Sequence, residues 1–149
     1  MTDRTCRVFA LVVGVTILAT GLGGCTGPKY DEVTGATFNQ QVLQSSQPVL
    51  VAFYKEACPT CGMSEGVLNQ LKGEYGDRVK FVRLLAMTAA FQKPAPELSA
   101  QFGLERFPTV ILFLGGRERY RWTQDYNIED YRKGLDSLVP KSTAATGKS

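Results

Sequence analysis

The chain contains no histidine. That one absence excludes Ser-His-Asp triads, imidazole metal sites and histidine general bases, and with them most hydrolase and zinc-enzyme chemistry. Charge of one sign is also in short supply: 17 basic residues face 14 acidic ones, a formal net charge of +3. Without residues 1–24, which hold Asp3, Arg4 and Arg7, the balance is +2, too even for a nucleic-acid binder. Cysteine is scarce, at four in 149 residues, so no framework of disulfides holds the fold together. An apolar content of 44% over that length is enough for one domain with its own core.

Long apolar runs are missing too. The longest covers residues 8–22 and is too short to span a bilayer comfortably. It follows a short polar start with Arg4 and Arg7, and reads as a secretory signal. It ends in Leu22-Gly23-Gly24-Cys25, which resembles the lipobox of bacterial lipoproteins. That resemblance implies cleavage before Cys25 and a lipid on its sulfur. Several acyl chains hold such a terminus stably, each buried CH₂ contributing about 0.8 kcal/mol. An uncleaved anchor, or a signal cut elsewhere, exports the domain equally well. The expected organisation is a lipoprotein signal peptide at 1–24, a polar tether at 25–36, a folded domain at 37–140 and a disordered tail at 141–149.

Cys6 falls in the signal and Cys25 at its end, so only Cys58 and Cys61 remain in the exported body. They follow Val49-Leu50-Val51-Ala52-Phe53-Tyr54, an apolar run bounded by Pro48 and Lys55 that reads as a strand buried on both faces. After them Val67, Leu68, Leu71 and Tyr75 recur at helical spacing, and Gly76 ends the helix. Cys61 therefore sits in the first helical turn and Cys58 at or beside the N-cap. Pro59 suits the first helical position. Unpaired N–H groups and the positive end of the helix dipole favour a thiolate there. Residues three apart share a helical face, close enough to bridge, with Cys58 at the exposed tip and Cys61 a turn deeper. One close pair in an exported body points to redox chemistry rather than a structural bridge.

The remaining pattern is α/β. A brief strand is expected at 32–34, then a helix capped by Thr37 and running to residue 45 with Phe38, Val42 and Leu43 inward. Residues 79–85 read as a second apolar strand, interrupted by Arg83, which completes a right-handed parallel β-α-β unit. A loop over 86–95 leads to a short helix at 97–102 closed by Gly103. Phe107-Pro108-Thr109 opens a buried strand at 110–114. Gly115-Gly116 makes a hairpin into an arginine-rich edge strand at 117–122. Asn127 caps a last helix with Ile128, Tyr131, Leu135 and Leu138 as its apolar stripe, ended by Pro140.

This order of elements, with Cys58-Pro59-Thr60-Cys61, Phe102-Gly103-Leu104 and Phe107-Pro108-Thr109 in place, resembles the thioredoxin family over residues 36–139. The resemblance implies the thioredoxin fold, a mixed central sheet of four to five strands flanked by helices. It implies that Pro108 is cis beside the cysteines, where the residues alone read equally as a trans proline opening a strand. Phe107, Pro108 and Thr109 would bind substrate, the Phe107 backbone pairing with an extended segment. Cys58 would be the nucleophile and Cys61 the resolving thiol, with no cofactor or metal beyond the redox-active disulfide they form. The implied partners are protein thiols and disulfides of the cell envelope, a membrane electron donor or acceptor, and the lipid membrane through Cys25. The chain is expected to be a monomer that binds no nucleic acid.

Departures from the family pattern bear on acidity. Ala52 stands where cytosolic thioredoxins have a buried aspartate, Ala57 where they have tryptophan, and Gly66 in place of the helix-kinking proline. The usual deep proton acceptor is therefore missing. Pro59-Thr60 replaces the Gly-Pro of the general reductant. Pro59, Thr60, Glu56 and Arg83 become the candidates for tuning the thiols. Glu56 is either a proton relay at the rim or a solvated surface charge. Arg83 is either an unneutralised charge that stabilises the Cys58 thiolate or a snorkelling side chain whose head reaches solvent. A dedicated reductant or exchange enzyme, as in cytochrome c maturation, is favoured over a bulk oxidase, because no large inserted substrate-binding domain is apparent. A different class stays open: a non-catalytic docking module using the Phe107-Pro108 groove, or a holder of Cu(I) between the two thiolates.

Overall fold

Alternation along the central strands decides the architecture. In β2 (Val49–Lys55), Val49, Val51 and Phe53 point to one side of the sheet and Leu50 and Ala52 to the other. Both sides are buried, so helices must cover both. The computed structural model describes residues 30–139. The signal peptide, Cys25, Pro140 and the 141–149 tail lie outside the described residues.

Five strands form one mixed sheet in the order β1-β3-β2-β4-β5. β1 (Asp31–Glu32) and β2 both run parallel to β3 (Lys80–Met87), whereas β4 (Thr109–Leu114) pairs antiparallel with β2 and with β5 (Arg117–Thr123). Ala52 stands opposite Arg83 in this register, with Val110 on its other side. The β4–β5 hairpin turns on Gly115 and Gly116, both at positive φ (60° and 72°) as a primed turn requires. A Cβ on Gly116 would lie 2.7 Å from the Leu43 carbonyl oxygen, so glycine is needed there for space as well.

On one side of the sheet lie α1 (Gly35–Phe38), extended by one π-helical turn over Asn39–Leu43, and α3 (Pro96–Gln101). Their core is hydrocarbon and phenylalanine: Phe38, Phe53, Phe102 and Phe113 meet with ring centroids 5.4 to 6.1 Å apart. On the other side lie α2 (Pro59–Tyr75) and α4 (Ile128–Leu138). There Leu68, Leu71 and Tyr75 of α2 and Tyr131 and Leu135 of α4 pack over Leu50, Leu112 and Trp122. The Trp122 and Tyr131 rings stack at 4.6 Å.

Two expectations at the N-terminal end are corrected. The first helix starts at Thr34, not Thr37: the Thr34 hydroxyl accepts from the Thr37 backbone N–H while Thr37 Oγ1 accepts from Thr34 N, a reciprocal capping box. The folded body also begins before residue 37. Tyr30 and Val33 are buried, β1 pairs with β3, and Val33 N donates to Arg83 O at 2.8 Å, so residues 30–36 are part of the sheet and its cover rather than tether. Elsewhere the elements lie within a few residues of their expected bounds. Gly76 ends α2 at φ 55°, and the Asn127 side chain caps α4.

The sheet's two edges are both unwelcoming. β1 is two residues long, and β5 exposes Arg117, Glu118, Arg119 and Arg121 to solvent.

Candidate functional site

β2 ends at Lys55, and three residues later the chain enters α2. Glu56 and Ala57 make the turn, Ala57 at φ 52°, a left-handed conformation unusual for alanine. Cys58 is the N-cap residue, in extended conformation, and Pro59 takes the first helical position. Cys58 and Cys61 form a disulfide with Cα atoms 5.4 Å apart, inside the ordinary range for such bonds. Cys61 is only 7% exposed, while Cys58 is half-buried and Pro59 and Thr60 are on the surface. Thr60 Oγ1 lies 3.4 Å from the Cys58 sulfur, in position to hydrogen-bond it. An accessible sulfur at a helix N-terminus with a second sulfur beneath it is an arrangement suited to thiol–disulfide exchange.

The C-terminal ends of the strands complete the site. The Phe107–Pro108 peptide is cis, as the resemblance implied, and Pro108 shares a cleft with Cys61. Thr109 Oγ1 donates to the Arg106 carbonyl at 2.7 Å, which fixes the entry to β4. Gln124, at the end of β5, supports the same turn: its N–H donates to the Pro108 carbonyl at 2.9 Å and its side chain reaches the Phe107 carbonyl at 3.4 Å. Phe107 as a whole is buried.

Residues 29–137 match the thioredoxin family model. The chain belongs to the thioredoxin family. Thioredoxin 1 of Synechococcus elongatus is 36% identical over 85 residues, covering 57% of this chain and 74% of that protein. The thioredoxin of Alicyclobacillus acidocaldarius is 38% identical over 85 residues with the same coverage. The chloroplastic M-type thioredoxin of Chlamydomonas reinhardtii is 34% identical over 86 residues, 58% of this chain and 57% of that protein. With this kinship and a disulfide-forming pair at the helix start, the chain is a thiol–disulfide oxidoreductase.

Within this family member the charges near the thiols are arranged otherwise than the sequence led one to expect. Arg83 is not an unneutralised charge. Its Nη2 lies 3.2 Å from Glu32 Oε2 and its Nη1 3.5 Å from Glu65 Oε1, and the guanidinium sits 4.9 Å over the Tyr54 ring. Two carboxylates on one guanidinium cancel its pull on a nearby thiolate. Tyr54 also donates to Glu32 at 3.0 Å; burial, with that carboxylate, pushes its phenol up to about 12. Burial likewise holds Tyr30 protonated well above the usual tyrosine range, and Glu65 adds to the effect. Glu56 is on the surface, where its carboxylate accepts the Ala89 backbone N–H at 2.8 Å and pins the loop that follows β3. Lys55 steadies the same loop, with Nζ 4.2 Å over the exposed ring of Phe91.

The structure thus brings Cys58, Cys61, Thr60 and Pro108 together, with Arg83 bordering the same cleft as Cys61. Sequence reading passed over Tyr30, Glu65 and Gln124. Glu65 had a signal, its place one helical turn after Cys61. Tyr30 and Gln124 had none, since each reaches the site only through strand pairing or a turn across the sheet.

Proposed function

We propose that this chain is a lipid-anchored oxidoreductase on the outer side of a membrane, exchanging dithiols and disulfides with envelope proteins. Cys58 is the nucleophile and Cys61 the resolving thiol. The observation that carries the reading is the Cys58–Cys61 bond at the N-terminus of α2, one sulfur accessible and the other nearly covered. The export half of the proposal draws support from the apolar run at 8–22 and the Leu22-Gly23-Gly24-Cys25 pattern.

In the reducing direction the Cys58 thiolate attacks one sulfur of a substrate disulfide. The substrate's other sulfur leaves as thiolate, and a mixed disulfide joins Cys58 to the substrate. Cys61 then attacks Cys58, the Cys58–Cys61 bond forms, and the substrate departs with both sulfurs reduced. The helix N-terminus favours the charge on Cys58 throughout. A membrane electron donor would restore the dithiol. We read the protein as a dedicated reductant or exchange enzyme. The described residues are filled by the sheet and its helices, leaving no added domain of the sort that would select substrates in bulk.

Potentials in such proteins run from about −270 mV to about −120 mV, a span of roughly 7 kcal/mol. Equilibration of the Cys58–Cys61 pair with a glutathione buffer should place it toward the reducing end; a value near the oxidising end reverses the direction proposed. Reduction of insulin by dithiothreitol should be accelerated by the protein and not by Cys58→Ser, and Cys61→Ser should accumulate a covalent mixed disulfide. In bacterial cells the full chain should take up radiolabelled fatty acid and Cys25→Ser should not. A full chain that stays unlabelled would rule out the lipid anchor.

A further inference from the structure

The exchange reaction just proposed demands something that the two cysteines cannot supply. Before Cys61 attacks the mixed disulfide it must lose its proton, and it is 7% exposed, where burial disfavours the thiolate. Cys58 cannot accept that proton, since its sulfur is then bonded to the substrate. Ala52, beside the cleft, offers no acceptor, and the chain has no histidine.

The cleft itself carries an answer. Its cavity of about 10 Å³ has room for one water molecule and is bordered by Tyr30, Ala52, Cys61, Ser64, Glu65 and Arg83, among others. Among the described residues, Tyr30 Oη and Arg83 Nε are buried without a hydrogen-bond partner, while Ser64 faces the Tyr131 hydroxyl. Two such atoms beside a water-sized space are an unfavourable arrangement unless a water is shared between them. Glu65 follows Cys61 by four residues and so shares its helical face. Its carboxylate is held 3.5 Å from Arg83, and its side chain is 35% exposed, so it connects the cleft with solvent.

We propose that this cavity takes up one water and that, through it, Glu65 accepts the proton of Cys61 during resolution. The balance is simple. The S–H bond of Cys61 breaks, its proton passes by way of the water to the Glu65 carboxylate, and the electron pair stays on sulfur. That pair forms the bond to Cys58, the Cys58–substrate bond breaks, and the substrate sulfur leaves as thiolate. Glu65 then returns the proton to solvent. The titratable and charged groups facing Glu65 are Arg83 on β3 and Tyr30 ahead of β1, with Glu32 on β1 and Tyr54 on β2 reached through Arg83. Arg83 positions the carboxylate, and its second carboxylate partner, Glu32, keeps the cluster net negative and receptive to a proton.

An aromatic disulfide such as 5,5′-dithiobis(2-nitrobenzoate) separates the two steps in the full chain. Attack by Cys58 releases one coloured thiolate, and attack by Cys61 on the mixed disulfide releases the second. In Glu65→Gln the first phase should still release its full equivalent of coloured thiolate. The second should slow about tenfold or more near neutral pH. It should recover as the pH is raised, where hydroxide can take the Cys61 proton directly. A second phase unchanged in Glu65→Gln, or slowed equally at every pH, overturns the proposal. Should Glu65→Gln fail to fold, Tyr30→Phe keeps the ring and removes one partner of the water, and the same pH-dependent slowing is expected of it. No first phase in the wild-type protein would instead strike down the exchange reaction itself, which keeps the two failures apart.

Discussion

The two sides of the sheet are built to different specifications. The side under α1 and α3 is dry: four phenylalanine rings and aliphatic side chains fill it, and its residues offer almost no polar atoms. The side under α2 and α4 is made of tyrosine, tryptophan and leucine, with polar tips that must find partners, as Tyr75 finds Asp136 at 2.8 Å and Tyr131 finds the Asp125 carbonyl at 2.9 Å. Cys61 packs with the first cluster and borders the cleft of the second. The comparison teaches where reactivity can be housed. A close-packed hydrocarbon face gives rigidity and nothing else, whereas a face that already tolerates hydroxyls can carry a small polar cavity behind a thiol without losing its packing.

The largest effect should come from opening the dry face. Phe53 is fully buried among Phe38 and Phe102, and Phe53→Ala should destabilise the protein by about 3–5 kcal/mol in urea unfolding. A loss below about 1 kcal/mol would mean that the phenylalanine cluster is not the anchor it resembles. A smaller loss is expected on the polar face. Gly134 of α4 lies so close to Trp122 that a Cβ would stand 2.6 Å from Cζ2, and Gly134→Ala should cost about 1–3 kcal/mol. Circular dichroism melts of that variant check whether α4 can lift to make room.

The mildest test reads the buried tyrosine hydroxyls by pH. Burial raises Tyr30, Tyr75 and Tyr131 above their ordinary 10.0, and raises Tyr54 to about 12. A raised folded value means that the unfolded chain releases these protons first. Stability is therefore complete below pH about 10 and declines as pH climbs through 12. The denaturation midpoint should fall over that range, and less steeply in Tyr54→Phe. A flat profile would show that the hydroxyls ionise alike in both states.

Legibility in the sequence followed the range of the interaction. The β2 run, the α2 stripe, the Gly115-Gly116 turn and the Asn127 cap were readable because each is decided by neighbours within a helical turn or a strand. The cysteine pair was readable for the same reason. Thr37 was misread as a cap because the true cap, Thr34, uses it three residues on, and single letters do not say which of two threonines gives and which receives. Of the two readings of Arg83, the unneutralised charge failed. Its partners are Glu32, fifty-one residues earlier and brought alongside by the β1–β3 pairing, and Glu65 on the far side of a loop and a helix end. A charge can be counted from sequence, but its neutralisation depends on topology. The Glu56 hydrogen bond to Ala89 was out of sight for the same reason, since it joins two loops that meet only because β2 and β3 lie side by side.

The short β1 and the arginine-studded β5 have a consequence at high protein concentration. Strands left bare at their flanks would invite colliding copies to zip into a continuous ribbon. Here one flank is too brief to template a newcomer and the other repels its own likeness. With both flanks closed to pairing, the tip that carries Pro108 and the Cys58–Cys61 pair is left as the end of the sheet where chemistry is placed.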